Sequence, residues 1–181
     1  MQQPKNVLIL SGSPRKFGNS ELLCESFRQG ALQAGHRVRL TRIAEKNIRP
    51  CTSCFFCLQH DGICVQTDEM AQVLKDMLAA DVIVLASPVY FFNISAQLKT
   101  AIDRCFCQYS NIRDKQFYFI LSAADDTQSV MDTPLAALRS VISCFPNAQE
   151  KGYLLARGVL ERGAIKGSPL LDAAFSMGAE I

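Results

Sequence analysis

Short apolar runs recur along this chain at intervals that leave room for one helix between each pair. KNVLILS (Lys5–Ser11), DVIVLAS (Asp81–Ser87) and KQFYFILS (Lys115–Ser122) are too short for core helices. They are also too continuous for strands with one wet face, so they read as strands buried on both faces, as in a parallel sheet. HRVRLTRI (His36–Ile43) alternates polar and apolar residues and reads as a strand nearer a sheet edge, and KGYLLARGV (Lys151–Val159) as a fifth strand. Between the runs, apolar residues return every three or four positions, as on one face of a helix. The stripes are Leu23, Phe27, Ala31, Ala34; Met70, Val73, Leu74, Met77, Leu78; Ile94, Leu98, Ala101, Ile102; and Leu135, Leu138, Ile142. Thr67 is the predicted N-cap of the second helix, with Asp68 and Glu69 in its first turn. Thr133-Pro134 is predicted to open the fourth helix and Ser168-Pro169 the last.

Strand–helix alternation of this kind gives a parallel sheet with right-handed crossovers. Five strands in 181 residues predict an α/β, flavodoxin-like, doubly wound five-stranded parallel sheet with helices on both faces, as a single domain over residues 1–181. Ligands of such sheets sit beyond the carboxyl ends of the strands, where strand order reverses. Function is therefore expected in the loops after Ser11, Ser87 and Ser122. A net charge of +2 suggests neither a nucleic-acid nor a membrane partner. No apolar run approaches the ~18 residues that a membrane helix needs. MQQPKNVLIL has no charged leader region, so a cytoplasmic, reducing location is expected. In that setting the eight cysteines read as thiols or metal ligands, not disulfides.

SGSPRKFGNSELL (Ser11–Leu23) joins the first strand to the first helix. Unpaired amides and the positive dipole end of a helix favour a phosphate there, and Ser11, Ser13, Asn19 and Ser20 add donors. The P-loop pattern fails, because five residues separate Gly12 from Gly18 and Asn19 stands where the lysine should. The dinucleotide fingerprint fails too, because Pro14 occupies its second glycine position and the second strand ends in Thr41-Arg42 without an acidic residue.

That loop resembles the phosphate loop of the NADPH-dependent FMN reductase family, roughly G-S-x-R-x-x-x-N-[ST]. ASPVYFFNISAQLKTAIDR (Ala86–Arg104) is similar to the same family's flavin-ring loop and following helix. The resemblance implies that Ser11, Ser13, Pro14, Arg15, Asn19 and Ser20 hold the FMN phosphate. It also implies that Pro88, Val89, Tyr90 and Phe91 lie along the isoalloxazine. The third loop, LSAADDT (Leu121–Thr127), departs from the family by lacking glycine; the resemblance still implies that Ser122 and Ala123 reach the flavin by backbone, and Asp125-Asp126 read as a helix-start signal.

CTSCFFCLQHDGIC carries Cys51, Cys54, Cys57 and Cys64. Thiolates at C-x2-C-x2-C suit a compact iron–sulfur loop, and Gly62 gives a bend that returns Cys64. Zinc on these cysteines, with or without His60, and plain unligated thiols stay open as alternatives. The pattern resembles the iron–sulfur flavoprotein branch of the same family, which implies a [4Fe–4S] cluster on the four cysteines. Cys24, Cys105, Cys107 and Cys144 read as core thiols, His36 as structural, and Asp103-Arg104 as helix-surface charges.

No triad or paired carboxylate is evident, which suits flavin chemistry carried by the cofactor. The leading expectation is an FMN-binding enzyme in which NADPH or NADH reduces FMN for a flavin, quinone, nitro or azo acceptor. The second is an iron–sulfur flavoprotein electron carrier served by ferredoxin. The third is a non-catalytic interaction module. A homodimer or homotetramer is expected, with the flavin near the subunit interface.

Overall fold

The computed structural model describes residues 3–181. Its five parallel strands are β1 (Asn6–Ser11), β2 (Arg37–Arg42), β3 (Val82–Tyr90), β5 (Gln116–Ser122) and β6 (Gln149–Ala156), with a two-residue β4 (Asn93–Ile94) antiparallel to the end of β3. The parallel strands lie in the order β2-β1-β3-β5-β6. The helices are α1 (Asn19–Gln33), α2 (Met70–Ala79), α3 (Ala96–Arg104), α4 (Asp132–Ile142) and α5 (Pro169–Ala179).

Strand residues alternate between two cores, as the period of two requires. Val7, Ile9, Val82, Val84, Tyr118 and Ile120 face α1 and α5. Leu8, Leu10, Ile83, Leu85, Phe117 and Phe119 face α2, α3 and α4. Each fully buried side chain of this size stabilises the fold by about 1.5–3 kcal/mol. The predicted doubly wound sheet is thus the observed one, and β2 lies at its edge. The chain leaves β1 toward β2 and returns to β3 on β1's other side, so strand order reverses between β1 and β3.

Two close approaches fix the elements that frame this switch point. A Cβ at Gly30 would overlap the Phe175 carbonyl, and one at Gly178 the Phe27 carbonyl, so α1 and α5 meet backbone to backbone. A Cβ at Gly12 would come within 2.7 Å of both Leu98 Cβ and Ser95 Oγ. Only glycine lets the loop after β1 rest on the start of α3.

Several local expectations are corrected. The second helix starts at Met70 without Thr67; Asp68 Oδ1 accepts the Met70 amide instead. Thr133-Pro134 lie inside α4, which opens at Asp132. Ile94 belongs to β4, and α3 begins after Ser95, whose hydroxyl accepts the Leu98 amide. Ser168 caps α5 as expected. Cys24 and Cys105 are core thiols, whereas Cys107 is half-buried and Cys144 exposed. His36 is buried, and its Nδ1 accepts the Lys5 amide, a structural role. No helix among the described residues is long and apolar enough to cross a membrane.

Candidate functional site

The loop after β1 meets the first turn of α1 at Gly18, which has no side chain to cap the helix amides. Those amides therefore remain donors at the positive end of the helix. Ser13 braces the loop, its Oγ accepting the Arg15 amide at 3.2 Å. Glu21, in the same turn, is neutralised by Arg42 and accepts the Phe17 amide. Lys16 points away to Glu45, 3.0 Å off.

β3 runs on past Ser87 to Tyr90, so the expected apolar loop is instead a β-hairpin. Tyr90 pairs with Asn93 and Val89 with Ile94. Its two turn residues, Phe91 and Phe92, hold φ of 47° and 59°. A turn with two positive φ angles normally takes Asn-Gly, and bulky side chains there carry strain. The hairpin is bolted to the first loop: Ser95 donates its amide to Ser87 Oγ and its hydroxyl to the Gly12 carbonyl, both at 2.8 Å.

These pieces enclose a cavity of about 190 Å³. Ser13, Arg15, Asn19, Ser20, Pro88, Val89, Tyr90 and Ser122 line it. Of the other residues expected there, Ser11 is buried within β1, Pro14 is exposed beside the cavity, and Phe91 is wholly exposed at the hairpin tip. The Ala123 amide, expected to face the flavin, bonds the Ala156 carbonyl at 2.8 Å instead. Asp125 Oδ1 accepts the Thr127 amide, as a turn leading into the short helical turn Gln128–Met131.

The sequence reading missed the wall formed by the loop after β6. Val159, Leu160 and Arg162 complete the cavity. The signal was available: a glycine-spaced, charged segment, ARGVLERGAIKG, follows the carboxyl end of a parallel strand, where such sheets place ligands.

A second cavity, of about 290 Å³, is lined by Cys51, Cys54, Cys57 and Cys64, joined by Cys107, Phe55, Phe106 and Arg104. The motif is the donor set that a cluster needs, and its thiols share one cavity. No three or more His, Cys, Asp or Glu side chains among the described residues are gathered closely enough to hold a metal ion. His60 is stacked on Phe56 and turned to the Phe56 carbonyl, outside the thiol cavity. The Phe56 amide and the Thr52 hydroxyl lower the Cys54 pKa. Burial, then the nearby Cys64 and Cys57, push the Cys107 thiol up to about 11, and its Sγ–H donates to the Arg104 carbonyl.

Arg104, expected at the surface, is the buried hub of this region. Its side chain is 1% exposed, against 2% for its partner Asp68. Nη1 donates to the Arg49 carbonyl and Asp68, and Nη2 to Asp68 and, at 3.5 Å, to Cys64 Sγ. Nε is the one buried side-chain N or O atom among the described residues without a partner. Burial alone would raise the Asp68 pKa, but bonds from Arg104 and the Arg49 and Met70 amides hold it below the ordinary range. α3 links the two cavities: it starts at the hairpin and ends at Arg104, a span of ~14 Å at 1.5 Å per residue.

A family model described as NADPH-dependent FMN reductase matches residues 5–152. The chain is 42% identical over 100 residues to an iron-sulfur flavoprotein of Archaeoglobus fulgidus, covering 55% of this chain and 44% of that protein. It is 40% identical over 98 residues to one from Methanocaldococcus jannaschii, covering 54% and 50%. The matched segment thus spans about half the length of these curated relatives. The solved NAD(P)H:quinone oxidoreductase from Methanothermobacter marburgensis shares the fold, with a TM-score of 0.70 at 18% identity over 98% of this chain and 97% of that one.

Proposed function

This chain belongs to the NADPH-dependent FMN reductase family, and on that premise we propose that it binds FMN at the switch point and works as an NAD(P)H-dependent oxidoreductase. The observation that carries the reading is the pairing, across one cavity, of an uncapped helix start with an apolar strand end. The first suits a phosphate and the second a flat aromatic ring. When bound, FMN supplies the hydride chemistry. The chain's own contribution is placement. The α1 amides, Ser13 and Ser20 receive the phosphate, while Pro88, Val89 and Tyr90 lie along the ring and exclude water from it. Ser122 closes the cavity from β5. The Gly12–Ser95–Ser87 bonds keep the phosphate and ring walls in register. The acceptor is a small oxidant such as a flavin, quinone, nitro or azo compound, since nothing in the site demands a macromolecule. The exposed Phe91 and Phe92 suit burial against a second copy, in a homodimer or homotetramer. Titration with FMN, followed by NADPH and NADH oxidation with these acceptors, tests the reading. Failure of the chain to take up FMN sinks it.

A second reading has its own support in the buried Arg104 beside the thiol cavity, with one N–H still lacking an acceptor. Cys51, Cys54, Cys57 and Cys64 would hold a [4Fe–4S] cluster there, and the chain would exchange single electrons with a carrier such as ferredoxin. Iron and sulfide assays on anaerobically prepared protein decide between the two readings. Absence of iron after anaerobic reconstitution rejects the second and leaves the first standing.

A further inference from the structure

The loop Arg157–Gly167 follows β6 and lies beyond the family-matched residues 5–152. It is not a loose connection. The Asn19 carboxamide donates to the Val159 and Glu161 carbonyls, both at 2.9 Å, and accepts the Ile165 amide at 3.2 Å. Arg15 Nη1 donates to the Leu160 carbonyl at 3.1 Å. Val159 and Gly158 donate their amides to the Ala123 and Asp125 carbonyls, and Ile165 is fully buried in the core under α1. The loop is thus tied to the loops after both β1 and β5.

This tethering changes which groups are free to meet a phosphate. Three of the four hydrogen-bonding positions of the Asn19 side chain, both N–H donors among them, serve the loop, and so does one donor of Arg15. What the loop brings in exchange is Arg162, which lines the same cavity. Lys16 is paired with Glu45 and Glu21 with Arg42. Arg15 and Arg162 have no carboxylate partner among the described residues. Two unpaired guanidiniums beside an uncapped helix start call for an anion of more than one charge. A phosphate monoester carries roughly −1.5 to −2 near pH 7, and guanidinium is the side chain suited to bidentate contact with it.

We propose that Arg162 is a phosphate-binding residue of this site, carried in by the tethered loop, and that it makes the site prefer FMN to riboflavin. The inference rests on the flavin reading above. The test is a titration of the full chain and of Arg162→Met and Arg162→Lys with FMN and with riboflavin, followed by flavin fluorescence. Arg162→Met should weaken FMN about tenfold, the loss expected for one charge-assisted contact. Riboflavin, which lacks the phosphate, should change by less than about twofold, and Arg162→Lys should recover part of the FMN affinity. The salt dependence of FMN binding should fall in Arg162→Met, since one screened charge is gone. An equal loss for both flavins would show that Arg162 merely shapes the loop, and an unchanged FMN affinity would remove it from the site; either overturns the proposal. If the parent chain binds neither flavin, the flavin reading itself fails and this inference falls with it. Circular dichroism of the variants checks folding, and Arg162→Lys keeps the test decisive should Arg162→Met misfold.

Discussion

Around the start of α3, polar backbone groups are matched within the fold. Gly12, Ser87 and Ser95 bond one another, and the neighbouring cavity is closed by a loop tied down at Asn19 and Arg15. Around the end of the same helix the pattern is different. The cysteine segment runs through positive φ at Ser53, Phe55, Asp61 and Gly62, and exposes Phe55, Leu58, Ile63 and Val65. Its firm attachment is the Arg104–Asp68 pair, with Arg49 and Cys64 gathered on it. In the first region the walls of the cavity are already held in place by bonds within the fold. The second has the donors for a cofactor but keeps them apart, so ordering the thiols would have to accompany binding.

The largest effect expected from this difference lies at that buried pair. Arg104→Met strips Asp68 of its buried partner, a change that costs about 3–5 kcal/mol. Chemical denaturation should register it, and limited proteolysis should cut first between Cys51 and Gln66. Arg104→Met with Asp68→Asn should recover part of the loss, because no buried charge is left alone, although the single carboxamide oxygen can serve only one of the two amides, Arg49 or Met70, that Asp68 accepts on separate oxygens. The pH dependence follows in sign. Asp68 titrates below its ordinary value of 3.8 in the fold, so its stabilisation is complete above that value and is lost as pH falls through the lowered one. Asp68→Asn should flatten the acid limb of the stability curve. A parent and variant with the same acid limb would mean that the anchor contributes nothing.

A middle-sized effect of opposite sign is expected at the hairpin, where the well-matched region holds two successive left-handed residues. Left-handed backbone costs an ordinary L-residue roughly 1–2 kcal/mol, and Phe91 and Phe92 both adopt it. Phe91→Asn with Phe92→Gly supplies the residues this turn favours. At protein concentrations where the chain is monomeric, the double variant should be about 1–2 kcal/mol more stable by denaturation. Because Pro88, Val89 and Tyr90 line the cavity while Phe91 stands outside it, FMN affinity should stay within about threefold. A loss beyond tenfold would instead put Phe91 against the flavin ring.

The same contrast explains what could be read from the sequence. β1, β3 and β5 were legible because a strand buried on both faces must be apolar throughout, and the switch point follows from their order. The hairpin was not, since Pro88 inside an apolar run reads as a strand end; here β3 carries it and continues to Tyr90. The loop after β1 was legible as a local motif, but the use of Asn19 to hold residues 159–165 depends on chain segments far apart in sequence. Arg104 was misread for the same reason. Its spacing from Leu98 and Ala101 continues the buried stripe of α3, yet a charge on that stripe looks like surface until Asp68, distant in the chain, is brought against it. Cys107 likewise joins the thiol cavity only through folding.

The smallest structural effect, and the sharpest functional one, belongs to the cysteine motif. Cys54 is exposed and its side chain is packed against no core residue, so Cys54→Ser should change stability by no more than about 0.5 kcal/mol. FMN affinity should be unchanged, because the cavity at the switch point contains none of the motif. Iron content after anaerobic reconstitution should fall to background if Cys54 is one of four cluster ligands. Cys144→Ser, at an exposed thiol outside the cavity, is the control that should retain iron. Equal iron in the parent and both variants would remove Cys54 from the ligand set. Loss of FMN together with iron would mean that the two regions are not separable, and would break the contrast drawn between the ends of α3.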